Sequence, residues 1–127
     1  GVDGDEFAVD FQRLAGPLGA GQAFAQEGDH LAILAATLAG ILAVARAVVS
    51  NDSGAMHLAG AVGTHVVALF GATDETRTSP LPAGAETPVP TILTHAAFCR
   101  PCMLRECPID HRCMRGITAE RAFEALS

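Results

Sequence analysis

The sequence predicts an α/β domain, a partial Rossmann-like parallel sheet with flanking helices. Two apolar runs of strand length, Ala45–Asn51 (ARAVVSN) and His65–Phe70 (HVVALF), lie on either side of the helix-length segment Gly54–Val62. Strand, helix and strand at this spacing make a crossover unit, which joins parallel strands. Half of the 127 residues are apolar, with no Trp or Tyr and six Phe. Small aliphatic side chains of this kind let helices pack close to strands, and a chain of this length supports one domain with a modest core.

Taken in order, Asp3 to Leu18 reads as a short helix with acids at its start and Phe7, Phe11 and Leu14 at helical spacing, stopped by Gly16-Pro17. Gly19, Gly21 and Gly28 mark a loose connection. From His30 to Val44 the chain is apolar nearly all round, the pattern of a helix covered on most sides, with Asp29 placed as its N-cap. Leu31 to Val49 carries only Arg46 as a charge and approaches bilayer-spanning length, but its Ala content and its strand-like end favour a buried helix followed by a buried strand. After the first strand, Asp52 or Ser53 caps Gly54–Val62, and Gly63 supplies the left-handed residue that commonly closes a helix. The second strand stops at Gly71. Pro80, Pro82, Gly84, Pro88 and Pro90 make a loop, Thr91–Thr94 a short edge strand, and Thr118 the cap of a final helix, Ala119–Leu126, with Glu120 in its first turn.

Charge narrows the function. Fourteen acids against eight bases give a net charge of -6, and no basic stripe is present, so no nucleic-acid partner is expected. Every base is Arg, and the absence of Lys excludes Schiff-base chemistry and a Walker loop. The amino-terminal GVDGDEFAVDF has neither a basic nor an apolar signal region, which favours the cytoplasm.

The densest chemistry lies in VVSNDSGAMHLAGAVG, residues 48–63, followed by VVALFGATD, residues 66–74. A strand delivers Asn51, Asp52 and Ser53 to its carboxyl end, where a helix begins and unpaired amides converge with the positive end of its dipole. Open α/β sheets bind ligands at such places. Gly54 lets a phosphate approach the backbone, Ser53 adds a hydroxyl donor, and His57 can donate one turn into the helix. Asp52 repels phosphate and suits a sugar hydroxyl. Against this stands the plainer reading, in which Asp-Ser-Gly is only a helix cap and His57 only a surface residue.

The string NDSGAMHLAGAVGTHVVALFGATD resembles the signature of glycosyltransferase family 9, the heptosyltransferases, with its N-D-[ST]-G-x-M-H-x-A-x-A-x-G segment ahead of a V-V-A-L-F-G-x-T-D strand and loop. The resemblance implies a two-lobed GT-B fold with the whole of residues 1–127 in the carboxy-terminal, nucleotide-sugar-binding lobe. It implies an inverting transfer of heptose from ADP-heptose to the lipopolysaccharide inner core, with no further cofactor required. By position, Asp52 matches the acid near the donor heptose, Ser53, Gly54, Ala55 and His57 match residues around its diphosphate, and Thr73 and Asp74 match a loop facing the cleft. Asp5 or Glu6 resembles an acid near the ribose. Two departures stand out. Ile33 and Leu34 occupy positions where the family has Thr or Ser beside the adenine, and the first strands of the lobe, a phosphate-binding Lys and the acceptor lobe with its general base are expected outside this chain. The chain alone is therefore expected to be inactive, its parent to work in the cytoplasm or at the inner face of the inner membrane with peripheral membrane association. The alternative is a stand-alone nucleotide-binding or interaction module without catalysis.

Cys99, Cys102, Cys107 and Cys113 fall within a Cys-rich segment, 98–114. Their spacing leaves structural zinc, disulfides and free thiols open, while the family resemblance extends to a C-x-P-C…CP…CM pattern that implies a structural brace rather than metal catalysis. Arg100, Arg105, Arg112 and Arg115 interleave with the thiols, either as a solvated face or as contacts for an anionic lipid or substrate. His30, His65, His95 and His111 lack metal-ligand spacing and read as structural or exposed.

Overall fold

The computed structural model describes residues 25–127, with side chains from residue 28 onward. The expected helix over 3–18, together with Asp5 and Glu6, lies outside the described residues. By compactness the chain divides after Ile33. The described part of the first unit is helical; the second, from Leu34, carries the sheet.

Helix α1 spans Ala25–Val44. It begins five residues before the expected start, so Asp29 sits inside the helix and is not its N-cap. The expectation of burial on most sides is also corrected: in this chain Leu42 is buried, whereas Ile41 and Val44 are 60% and 85% exposed. Its end turns through Ala45, whose amide donates to Leu42 O, so strand β1 begins at Ala47 rather than at Ala45 and runs to Asn51.

Helix α2, Gly54–Ala61, starts on Ser53, whose hydroxyl accepts from the Met56 amide at 3.4 Å. Ser53, not Asp52, is thus the cap. At the other end Gly63 takes φ +84°, the left-handed conformation expected of it. Strand β2, His65–Phe70, follows and pairs in parallel with β1, Ala47 opposite His65 through Asn51 opposite Leu69. Strand β3, Thr91–Thr94, pairs in parallel with the other edge of β2, which gives the order β1-β2-β3. The α/β class and the crossover unit are as the sequence predicts.

The core follows from the period of β2. Val66, Ala68 and Phe70 point to one face and meet Met56 and Ala59 of α2 together with Leu42. Val67 points the other way and is equally buried. A strand covered on both faces reads as a continuous apolar run, which explains HVVALF. The buried Thr64 hydroxyl donates to Leu42 O at 2.7 Å, tying the turn before β2 to the end of α1.

Three short helices complete the chain. The one-turn α3 (Glu75–Thr78) and α4 (Arg112–Arg115) fall where no helix was expected, while α5 (Ala119–Glu124) starts on the expected Thr118 cap and ends two residues early. Among the described residues no helix is long and apolar enough to cross a membrane.

Candidate functional site

The carboxyl ends of β1 and β2 carry the two polar clusters singled out in the sequence. At the first, Ser50 and Ser53 hydroxyls lie 3.1 Å apart, and Ser53 turns the chain into α2 from an extended backbone. Gly54 is exposed, and a Cβ built on it meets nothing within 4 Å, so its backbone is open to a ligand from outside. Ala55 is half-buried behind it and His57 is exposed one turn along.

At the second cluster Asp74 caps α3. Its Oδ1 accepts from the Thr76 hydroxyl at 2.6 Å and from the Thr76 amide at 3.0 Å. These two bonds, the hydroxyl first, hold the Asp74 carboxyl below the usual Asp range, with Arg77 and Arg100 adding to the effect. Asp74 is therefore an anion with a structural task, and Thr73 just before it is half-buried.

Thr78 joins the clusters. Its hydroxyl lies 2.9 Å from Asp52 Oδ2 and 3.2 Å from Asp74 O, donating to one or the other. Asp52 is thereby held against α3, leaving its second oxygen for another donor. Asp74, Arg77, Thr78 and Met103 line a depression beside this junction. Of the sequence candidates, the structure links Asp52 and Asp74 through Thr78 and sets Ser53, Gly54, Ala55 and His57 at the start of α2. Thr78, Arg77 and Met103 were not anticipated. A Thr one turn after an Asp cap was a weak signal available for the first of them.

The Cys-rich segment reaches this loop. Arg100 Nε donates to Gly71 O at 2.6 Å, Nη2 lies 3.5 Å from Thr73 O and pairs with Glu75 Oε2 at 2.7 Å, and the Met103 amide donates to Ala72 O at 3.0 Å. Arg100, with its side chain 11% exposed, is thus an internal brace, which departs from both expectations for the interleaved arginines, the solvated face and the contact for an external anion. Arg112 pairs with Asp110 and stacks over the Phe98 ring, 5.2 Å from its centroid.

All four cysteines are free, Cys113 buried and the others half-buried, and all line one mostly apolar cavity of about 150 Å³. Backbone amides of Ile109 and then His111 pointing at its sulfur hold the Cys107 thiol below its ordinary range. Among the described residues no group of three or more His, Cys, Asp or Glu side chains is placed to hold a metal ion.

Residues 34–111 match the model of a family described as glycosyltransferase family 9 (heptosyltransferase). Over 77 residues the chain is 36% identical to a lipooligosaccharide heptosyltransferase 2 of Campylobacter jejuni subsp. jejuni serotype O:2, covering 60% of this chain and 23% of that protein. A protein of the same description from serotype O:6 is 34% identical over 79 residues, covering 61% of this chain and 24% of its own. The chain spans about a quarter of the length of these curated relatives. No solved structure matches.

Proposed function

The chain belongs to glycosyltransferase family 9, the heptosyltransferases, and from that membership we propose that it is the donor-binding part of an inverting transferase that moves heptose from ADP-heptose to the lipopolysaccharide inner core. In this reading it lies in the carboxy-terminal lobe of a GT-B protein that works on the cytoplasmic side of the inner membrane. The observation that supports it most is the junction in which Thr78 bridges Asp52 at the start of α2 and the loop carrying Thr73 and Asp74. One face of a nucleotide-sugar site needs amides for the diphosphate and an acceptor for a sugar hydroxyl, and this junction offers both.

The α2 start would take the diphosphate: its first amides and the Ser53 hydroxyl donate, the open Gly54 admits a phosphate oxygen, and His57 donates from the next turn. Asp52 would accept from a heptose hydroxyl through the oxygen not turned to Thr78. Neither Asp52 nor Asp74 would contact phosphate directly, because like charges at that range repel. The acceptor sugar and the general base are assigned to the remaining length of such a transferase, since the matched residues cover only 23% and 24% of the two relatives.

The test is a titration of isotope-labelled chain with ADP and with ADP-heptose, followed at the backbone amides. Both ligands are expected to shift Ser53, Gly54 and Ala55, and Asp52→Ala should weaken ADP-heptose by roughly tenfold while leaving ADP nearly unchanged, the size of one lost charged hydrogen bond. Equal weakening of both ligands would assign Asp52 to the fold rather than to the sugar. Shifts confined to other parts of the chain would overturn the site.

A further inference from the structure

Three consecutive carbonyls, Gly71, Ala72 and Thr73, accept hydrogen bonds from the segment that carries the cysteines: two from the Arg100 side chain and one from the Met103 amide. The same guanidinium pairs with Glu75 in the first turn of α3. Arg100 therefore ties the end of β2 to the start of α3, across Thr73 and Asp74. We propose that Arg100 is a positioning residue that fixes the β2–α3 loop in the shape that presents Thr73 and Asp74 to a nucleotide-sugar donor. This rests on the reading of that loop as part of the donor site.

The chemistry favours Arg over any other residue here. Its planar fork offers Nε and Nη2 as separate donors at a fixed angle, so one side chain satisfies carbonyls two residues apart and a carboxylate. A Lys brings the same charge to a single point and cannot hold all three. The Arg100 side chain is 11% exposed and Glu75 33%, so the pair lies where water competes less for its bonds than at an open surface. Packing acts in the same direction: a Cβ on Gly71 would collide with the Met114 side chain and lie 3.6 Å from the Cys113 sulfur, so the loop is seated on the Cys-rich segment as well as bonded to it. With its carbonyls turned to Arg100 and Met103, the loop is held from behind. The Thr76 and Arg77 amides, which Asp74 accepts through its side chain and carbonyl, report whether that hold persists.

Arg100→Lys, Arg100→Gln and Glu75→Gln test the assignment in the full 127-residue chain. Amide exchange of Thr76 and Arg77 should accelerate by about tenfold in both Arg100 variants, with Val67 in β2 unchanged, and by less in Glu75→Gln, which keeps the carbonyl contacts. Titration with ADP-heptose should then shift the Thr73 and Asp74 amides several-fold less in Arg100→Lys, while shifts at Ser53 and Gly54 persist; a residue needed only for folding would depress all of these together. Exchange as slow as in the parent chain would overturn the hold of Arg100 on the loop. If the Arg100 variants show accelerated exchange but the parent chain shows no ADP-heptose shift at Thr73 or Asp74, the donor reading of the loop fails, and with it the positioning role. Should the Arg100 variants unfold, Glu75→Gln carries the test alone: exchange at Thr76 identical to the parent chain would overturn the proposal.

Discussion

Asp74 is bound by its own helix before any ligand arrives. Two bonds from Thr76 hold its carboxyl below the usual range, so its contribution to α3 is complete above the unfolded Asp pKa and fades as pH falls through the lower folded value. Asp74→Asn should abolish that dependence. The difference in Tm between the parent chain and Asp74→Asn is expected to be constant near neutrality and to close as pH falls below about 4; a gap independent of pH would show that the cap acts without its charge. Asp52 differs in that its partner, Thr78, lies 26 residues away. It is placed by the fold rather than by a local turn, and for that reason its sequence position could mark it as a candidate but could not name what holds it.

At the scale of elements, α2 is the piece on which site and core meet. Its start faces the open end of the sheet, and its middle carries Met56 and Ala59 into the cluster around Phe70. Its two glycines differ accordingly. A Cβ on Gly60 would come within 2.9 Å of the Leu81 carbonyl, a backbone atom that cannot swing aside, whereas one on Gly54 meets nothing. Gly60→Ala is expected to destabilise the chain by about 1–3 kcal/mol, the ordinary range for overpacking. Gly54→Ala should leave stability nearly unchanged and affect only ligand approach. Chemical denaturation of the two variants checks this, and equal midpoints would show that the loop over Gly60 yields. The Cys-rich segment gains a task on this scale: it backs the β2–α3 loop through Arg100 and Met103.

For the whole molecule, the proposed function gives the described residues one face of a diphosphate site. A few charge-assisted bonds from the α2 start must outweigh the loss of phosphate hydration and of ligand freedom. The 127-residue chain is accordingly expected to bind ADP only in the millimolar range, roughly -4 kcal/mol, and to show no heptosyl transfer, because positioning both substrates supplies much of the rate. Micromolar binding by calorimetry, or turnover, would show that these residues form a complete site. The sequence by itself determined the parallel β1–α2–β2 unit, the Thr118 cap, the left-handed Gly63 and the family, since each is written in short-range pattern: apolar period, cap chemistry and a contiguous motif. Only the tertiary structure decided that α1 leaves apolar side chains exposed in this chain, that Thr78 reaches Asp52, and that Arg100 grips Gly71 and Glu75. Composition reports that a helix is apolar without reporting what lies beside it. The contacts that shape the loop join residues 25 to 29 positions apart, and such pairings follow from the path of the chain across the sheet, which no local pattern encodes.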